Sequence, residues 1–276
     1  MKTKISEQTW ESIKNDYLNG ISKQKISKIY KISSRRLDNF LLENNIQCKR
    51  IQYQHNDTYF DIIDTHEKAY ILGFIIADGC IKLEKRKNFN FSKRIAIAVS
   101  ITDEQIIQYI HNVICPETKL VYTHNKKGAI NRKPQITVQW TSNHMVDILM
   151  NKYKILPRKT QDADFEFPFE HIPENLLGSF ILGFLDGDGC VSKYVMQFVS
   201  ASKLFLIQLE NIFKRFFEQN KELISEYKGH IITAHNKMTY YKYYICLGKG
   251  RRKFIKKFLY DNCPIFLQRK YDKFNI

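Results

Sequence analysis

Residues 71–79, Ile71-Leu72-Gly73-Phe74-Ile75-Ile76-Ala77-Asp78-Gly79, and residues 181–189, Ile181-Leu182-Gly183-Phe184-Leu185-Asp186-Gly187-Asp188-Gly189, match at six of nine positions without insertion, so that position 71 answers to 181 and 79 to 189. An aromatic residue precedes each (Tyr70, Phe180), and Cys80-Ile81 and Cys190-Val191 follow, so the chain reads as an internal duplication. Each segment reads as an apolar helix ending in Asp-Gly, and two like helices imply a pseudo-twofold site. Gly73 and Ala77 stand four apart, as do Gly183 and Gly187, which puts two small residues on one face of each helix. Small side chains let two backbones approach, at roughly 1 kcal/mol of helix propensity per glycine. The spacing therefore predicts that the helices pack on each other through Gly73, Ala77, Gly183 and Gly187. Asp78 and Asp188 then fall side by side at two helix C-termini. Helix C-termini carry partial negative charge, so two carboxylates there repel unless a metal ion or a basic group compensates. A divalent-metal site is the expectation.

Lys and Arg number 44 against 28 Asp and Glu, a formal charge of +16 over 276 residues. That surplus suits a partner rich in phosphate, although ribosomal or membrane-surface binding would satisfy it as well. A hydrophobic content of 43% is ample for a packed core, which excludes a disordered chain. Apolar runs such as Ala69 to Ala77 are far shorter than the roughly 20 residues a membrane span needs. The start, Met1-Lys2-Thr3-Lys4, lacks a signal peptide's apolar stretch, so an intracellular protein without a membrane partner is expected. Six scattered cysteines with no C-x-x-C pattern read as buried free thiols rather than as a zinc site or a disulfide framework.

Residues 1–48 read as a separate all-helical unit. Ser6 is a candidate N-cap, Trp10, Ile13, Tyr17 and Leu18 share a face, and Asn19-Gly20 breaks the pattern. Two short helices follow, from Lys23 to Tyr30 and from Ser34 to Asn44, joined at Lys31-Ile32-Ser33. Ile26, Ile29, Ile32, Leu37, Phe40 and Leu41 are the candidate core. This resembles a helix-turn-helix unit whose second helix offers Ser34, Arg35, Arg36 and Asn39 to phosphates or base edges. A plain three-helix packing or dimerisation module with a solvated basic face is the alternative, against which stands the excess of basic over acidic side chains in this part of the chain. Residues 49–65 show no periodicity and read as a linker. Beyond them, 66–156 and 176–276 each follow the order helix, strands, helix, strands, helix, joined by a second linker over 157–175. Ile95, Ile97, Val99 and Ile101 alternate as a strand, as do Ile136, Val138 and Trp140, while Phe205, Leu209, Ile212, Phe213 and Phe216 keep helical spacing.

The paired Asp-Gly helices resemble the single-chain, two-motif members of the LAGLIDADG homing endonuclease family, over residues 66–276. The resemblance implies an α+β fold of two αββαββα repeats with saddle-shaped antiparallel sheets. It also implies site-specific hydrolysis of both strands of a long, asymmetric DNA target by a monomer that uses Mg²⁺ or another divalent metal such as Mn²⁺. The final acid of each motif binds metal in the family, which carries over to Asp78 and Asp188 with the flanking Gly79 and Gly189. The earlier acid is present as Asp186 but is Ile76 in the first copy; that position looks structural in the family. Arg158-Lys159 and Arg269-Lys270 recur at nearly the same separation after Asp78 and Asp188. Family members place a basic residue beside each active-site water at this point, so Lys159 and Lys270 are candidate stabilisers of phosphoryl charge. The saddle faces offer Arg94, Thr137, Gln139 and Thr141 in one half and Lys193, Gln197, Lys242 and Tyr244 in the other. RNA-splicing maturases and non-catalytic regulators share the fold and are the alternative reading.

Overall fold

Ser6, Ser22 and Ser33 each accept a hydrogen bond from the backbone N–H three positions on, of Thr9, Lys25 and Arg36. These three caps start the helices of the N-terminal unit, α1 (Glu7–Leu18), α2 (Lys23–Ile29) and α3 (Ser34–Glu43). Between α1 and α2, Gly20 takes the left-handed conformation, φ +88°, that glycine adopts without a steric penalty. Ile13, Ile26, Ile32, Leu37 and Leu41 are buried at the centre, flanked by Trp10 stacked on Phe40 with ring centroids 4.2 Å apart. Ile29, expected inside, is 52% exposed: α2 is two turns long and the small core takes only Ile26 from it. The computed structural model describes residues 5–46, 54–85, 91–123, 134–158, 162–220, 228–236 and 238–275. It divides into two compact units, Met1–Gln52 and Tyr53–Ile276.

The second unit contains both repeats. The first runs α4 (His66–Asp78), β1 (Gly79–Lys85), β2 (Phe91–Ser100), α5 (Glu104–Ile114), β3 (Val121–Thr123), β4 (Gln135–Thr141) and α6 (Asn143–Asn151). The second runs α7 (Leu177–Asp188), β5 (Gly189–Val191), β6 (Val195–Ser200), α8 (Lys203–Gln219), β7 (Gly229–Asn236), β8 (Met238–Cys246) and α9 (Lys249–Tyr260), followed by the short α10 (Gln268–Tyr271). Each repeat forms a four-stranded antiparallel sheet, in the orders β1-β2-β4-β3 and β5-β6-β8-β7. The period-two pattern sends Ile95, Ile97, Ile136, Val138 and Trp140 inward in one sheet, and Met196, Phe198, Tyr243 and Ile245 inward in the other.

The segments read as linkers behave otherwise where they are described. Tyr59, Phe60 and Ile63 are buried, as are Phe165, Phe167 and Ile172. Tyr153 donates from its hydroxyl to the Phe60 carbonyl at 2.9 Å, pinning residues 54–65 to the end of the first repeat. Large apolar side chains placed without periodicity fill gaps between elements, which a search for periodic patterns passes over. The free thiols also divide: Cys115 and Cys263 are buried, whereas Cys80 and Cys190 are exposed, because the first strand position after each Asp-Gly turns away from the core. Cys246 is half-buried, and Cys48 lies outside the described residues. No helix among the described residues is long and apolar enough to cross a membrane.

Candidate active site at the paired helix ends

The two motif helices touch through their glycines. A Cβ on Gly73 would overlap the carbonyl oxygen of Phe180, and one on Gly183 would overlap that of Tyr70. The same contact is thus made once by each copy, the mark of a pseudo-twofold axis between α4 and α7. At the axis Gly187 meets Ala77, leaving no room for a side chain larger than hydrogen at position 187. All of α4 from Ala69 to Ala77 is buried, as is α7 from Leu177 to Asp186, so both helices are enclosed on every side over these stretches. Each helix ends at an aspartate, Asp78 and Asp188, one position beyond this closest approach. A Cβ on Gly187 would lie 3.2 Å from Oδ2 of Asp78, so the carboxylate of one repeat stands against the helix end of the other. Asp78 is half-buried and Asp188 exposed.

A cavity of about 50 Å³ opens beside Asp188, lined by Ile76, Asp162, Phe165, Phe184, Ser200, Ala201 and Phe205. It has room for about three water molecules. Asp162, which the sequence reading passed over, brings a second carboxylate to this cavity; its Oδ1 accepts from the Asp164 N–H at 3.1 Å. The acid sits three positions beyond Lys159 in a segment that carries no motif, so only its nearness to that basic pair could have signalled it.

Lys270 is 5% exposed, and its ammonium donates to the carbonyls of Leu185, Asp186 and Gly189 at 2.6, 2.7 and 2.7 Å. It therefore caps the C-terminus of α7, where carbonyls lack intrahelical partners and a cation is favoured. Burial pulls its pKa below the usual lysine value. The Gly189 carbonyl, a candidate metal ligand by resemblance, is occupied by this lysine. Gly79 is buried at the equivalent turn. Next to Lys270, Arg269 forms a two-pronged pair with Asp103 of the first repeat at 2.8 and 2.7 Å. Lys159 lies outside the described residues, and its neighbour Arg158 holds a left-handed backbone, φ 61°.

Asp186 is 2% exposed, and its Oδ2 accepts from the Tyr70 hydroxyl and the Leu267 N–H, both at 2.8 Å. Burial raises its pKa to about 6, against the opposing effects of the Leu267 N–H, the Lys270 charge and the Tyr70 hydroxyl. Its other oxygen has no hydrogen-bond partner among the described residues.

Strand register sorts the other candidates. Cys80, Ala96 and Gln139 form one cross-strand row on the outer face of the first sheet; Lys82, Arg94 and Thr141 form the next, and Ala98, Thr137 and Val121 a third. Arg94 is engaged by Glu84 at 3.1 Å. On the second sheet Cys190, Gln197, Tyr244 and His230 share a row, and Val199, Lys242 and Ile232 another. Lys193 lies in the turn between β5 and β6, not on the face. In the N-terminal unit Ser34, Arg35 and Asn39 are exposed on α3, while Arg36 lies over the Trp10 ring at 5.8 Å.

The donor set fits a hard cation. Two carboxylates brought together suit Mg²⁺, Ca²⁺ or Mn²⁺ completed by water and phosphate oxygens, and the described residues contain no group of three or more His, Cys, Asp or Glu side chains that would favour a softer metal.

Comparison with known proteins adds to this geometry. Residues 175–258 match the family model described as a LAGLIDADG-like domain. Among solved structures, I-DmoI in complex with DNA and Ca aligns at a TM-score of 0.50 and 15% identity, covering 75% of this chain and 96% of that one. The LAGLIDADG meganuclease I-AabMI bound to uncleaved DNA aligns at TM-score 0.41 and 15% identity, over 75% and 87% of the two chains. A double mutant of I-SmaMI aligns at 0.47 and 11%, over 75% and 87%. A search of curated protein sequences finds no match. Residues 175–258 are thus similar to a LAGLIDADG-like domain, and the chain from α4 onward has the two-repeat α+β fold seen in I-DmoI.

Proposed function

We propose that the protein is a site-specific DNA endonuclease that hydrolyses one phosphodiester in each strand of a long duplex target. The observation that carries this reading is the pair of carboxylates, Asp78 and Asp188, held at two helix ends that touch through Gly73, Gly183 and Gly187. Two acids at the negative ends of two helices are costly to maintain in a protein that only binds. That cost favours an enzyme over a regulator or maturase of the same fold.

Asp78 and Asp188 would hold the divalent ions, which supply charge neutralisation at the phosphate and an acidified water when bound. The chain's own residues do the rest. The glycine contacts fix the separation of the two acids, because packed backbones leave no slack. The cavity beside Asp188 would hold water next to the carboxylate, with Phe165, Phe184 and Phe205 forming its apolar wall. Lys159 would place a cation beside the reacting phosphate, where developing negative charge is stabilised by a preset donor. The outer faces of the two sheets, with Arg94, Thr137, Gln139, Thr141, Gln197, Lys242 and Tyr244, would follow the major groove through many weak contacts. The overall +16 charge supplies the salt-dependent part of affinity.

The N-terminal unit would add a further reader through Ser34, Arg35 and Asn39. Removing residues 1–52 should weaken binding and flatten its salt dependence while leaving cleavage at saturating target. Unchanged affinity and salt slope would reassign that unit to packing or partner binding. The whole reading is tested by incubating the protein with a library of long random duplexes and Mg²⁺, then sequencing the cut ends. A recurrent target cut on both strands, lost on chelation, is expected; absence of any metal-dependent product overturns the reading.

A further inference from the structure

The outer faces of the two sheets can be set side by side through their registers. Gly79 pairs with Ile97 and Ile97 with Val138; Gly189 pairs with Phe198 and Phe198 with Tyr243, so each row across β2, β4 and β3 has an equivalent across β6, β8 and β7. The middle rows, Ala98-Thr137-Val121 and Val199-Lys242-Ile232, are alike in apolar content. The rows beyond them are not. Arg94 and Thr141 are answered by Val195 and Cys246, and Gln135 and Thr123 by Tyr240 and Ala234. All of these second-sheet side chains are half-buried, and Ile232 is 41% exposed.

A sheet with one face on the core ordinarily presents polar side chains on the other. Strand propensity is met equally by threonine, which the first sheet uses at positions 123, 137 and 141, so it does not account for Val195, Val199 and Ile232. Apolar side chains gathered on a solvated face mark a surface that is covered in use. Lys242 stands between Val199 and Ile232, its ammonium over the Tyr240 ring at 5.8 Å. A second copy of the chain packed there would enclose that ammonium in apolar surface, at a cost. The major groove instead offers it phosphate oxygens and guanine acceptors beside apolar methyl groups.

We propose that the second sheet reads a thymine-rich half of the target, with Val195, Val199, Ile232 and Ala234 packed against 5-methyl groups in the major groove. Among the four unmodified bases only thymine carries that methyl, and 5-methylcytosine shares it. The proposal rests on the endonuclease reading above and states what one half of its duplex contains. The first sheet, with Arg94, Gln135 and Thr141 in the equivalent rows, reads the other half chiefly through hydrogen bonds.

The test recovers bound duplexes from a random library with the full chain and no divalent metal. Each thymine of the recovered target is then replaced singly by deoxyuridine, which removes only the methyl, and affinity is read by fluorescence anisotropy. One half of the target should hold a run of thymines, each losing about 3- to 5-fold in affinity with its methyl, the worth of one buried methyl group. Ile232→Ala and Val199→Ala should each abolish the methyl effect at one or two positions of that run and leave it at the others, which ties the run to the second sheet. A recurrent target indifferent to deoxyuridine, or methyl effects that neither variant moves, would overturn the proposal. So would affinity that responds to cytosine methylation and not to thymine methyl removal, or a DNA-free dimer that Ile232→Ala dissociates. A chain that recovers no recurrent duplex overturns the site-specific endonuclease reading instead, and the proposal falls with it.

Discussion

The two repeats share an element order and a glycine contact but differ in the residues that flank that contact along the motif helix. In the second, α7 is tied down on three sides: Lys270 caps its carbonyls, Asp186 joins it to α4 and to Leu267, and Gly178 lets α9 approach so closely that a Cβ there would overlap the Phe258 carbonyl. In the first, the positions equivalent to Asp186 and Gly178 are Ile76 and Lys68, and Lys68 pairs with Asp64 at 2.8 Å. Duplication conserves the contact at the axis, where either copy's change would harm both. Away from the axis each copy is free to diverge.

The two lysines offer the largest break in the comparison. Lys270→Met leaves two buried carbonyls and one half-buried carbonyl without their cation, so it should destabilise the fold by about 2–4 kcal/mol, in addition to lowering the cleavage rate. Lys159→Met should lower the rate by roughly 10- to 1000-fold, the range for one lost stabiliser of transition-state charge. Denaturant titration beside single-turnover kinetics separates the two. A Lys270→Met protein as stable as wild type would show that its carbonyl contacts contribute little.

Glycine replacement tests the part the repeats share. Gly73→Ala and Gly183→Ala should each cost about 3 kcal/mol or more, because the added methyl meets backbone that cannot yield. Gly250→Ala, in the first turn of α9 with nothing within 4 Å, should instead be neutral or stabilising by up to about 1 kcal/mol. If both Gly73→Ala and Gly183→Ala unfold at the wild-type denaturant concentration, the close helix contact is wrong.

Much of this was legible from residues alone. The constant register of the two copies and the small residues at i, i+4 were enough to place Gly73, Ala77, Gly183 and Gly187 on one contact surface, since only close backbone approach repays helical glycine. Strand alternation in Ile136, Val138 and Trp140 was equally direct, and Ser6 announced its cap. What escaped has a common cause: it depends on tertiary partners far apart in sequence. Phe165, Phe167 and Tyr59 have no period to betray their burial. Nothing local marks Lys270 as a buried cap, because lysine is ordinarily exposed. The Tyr70–Asp186 link had one signal available, the joint change to Phe180 and Ile76 across the duplication.

A smaller effect concerns acid alone. Burial raises the Asp186 pKa to about 6 from an ordinary carboxylate value near 4, so its protonated form is favoured by folding. Its contribution to stability is complete below about pH 4 and is lost as pH rises through about 6. The stability of the wild type relative to Asp186→Asn should therefore fall by up to about 3 kcal/mol between pH 4 and pH 7. A difference that stays constant or rises over that range would mean that Asp186 is held charged by Lys270 more strongly than burial opposes it.

The central claim is that Asp78 and Asp188 form one metal-dependent cutting site, and it is tested most directly by cleavage and binding of an identified target by Asp78→Asn and Asp188→Asn. Each substitution removes a metal carboxylate without removing a DNA contact. Both variants should bind the duplex within a few-fold of wild type and show no double-strand cleavage in Mg²⁺, with at most a nick in one strand. Double-strand cleavage at the wild-type rate by either variant would contradict the account.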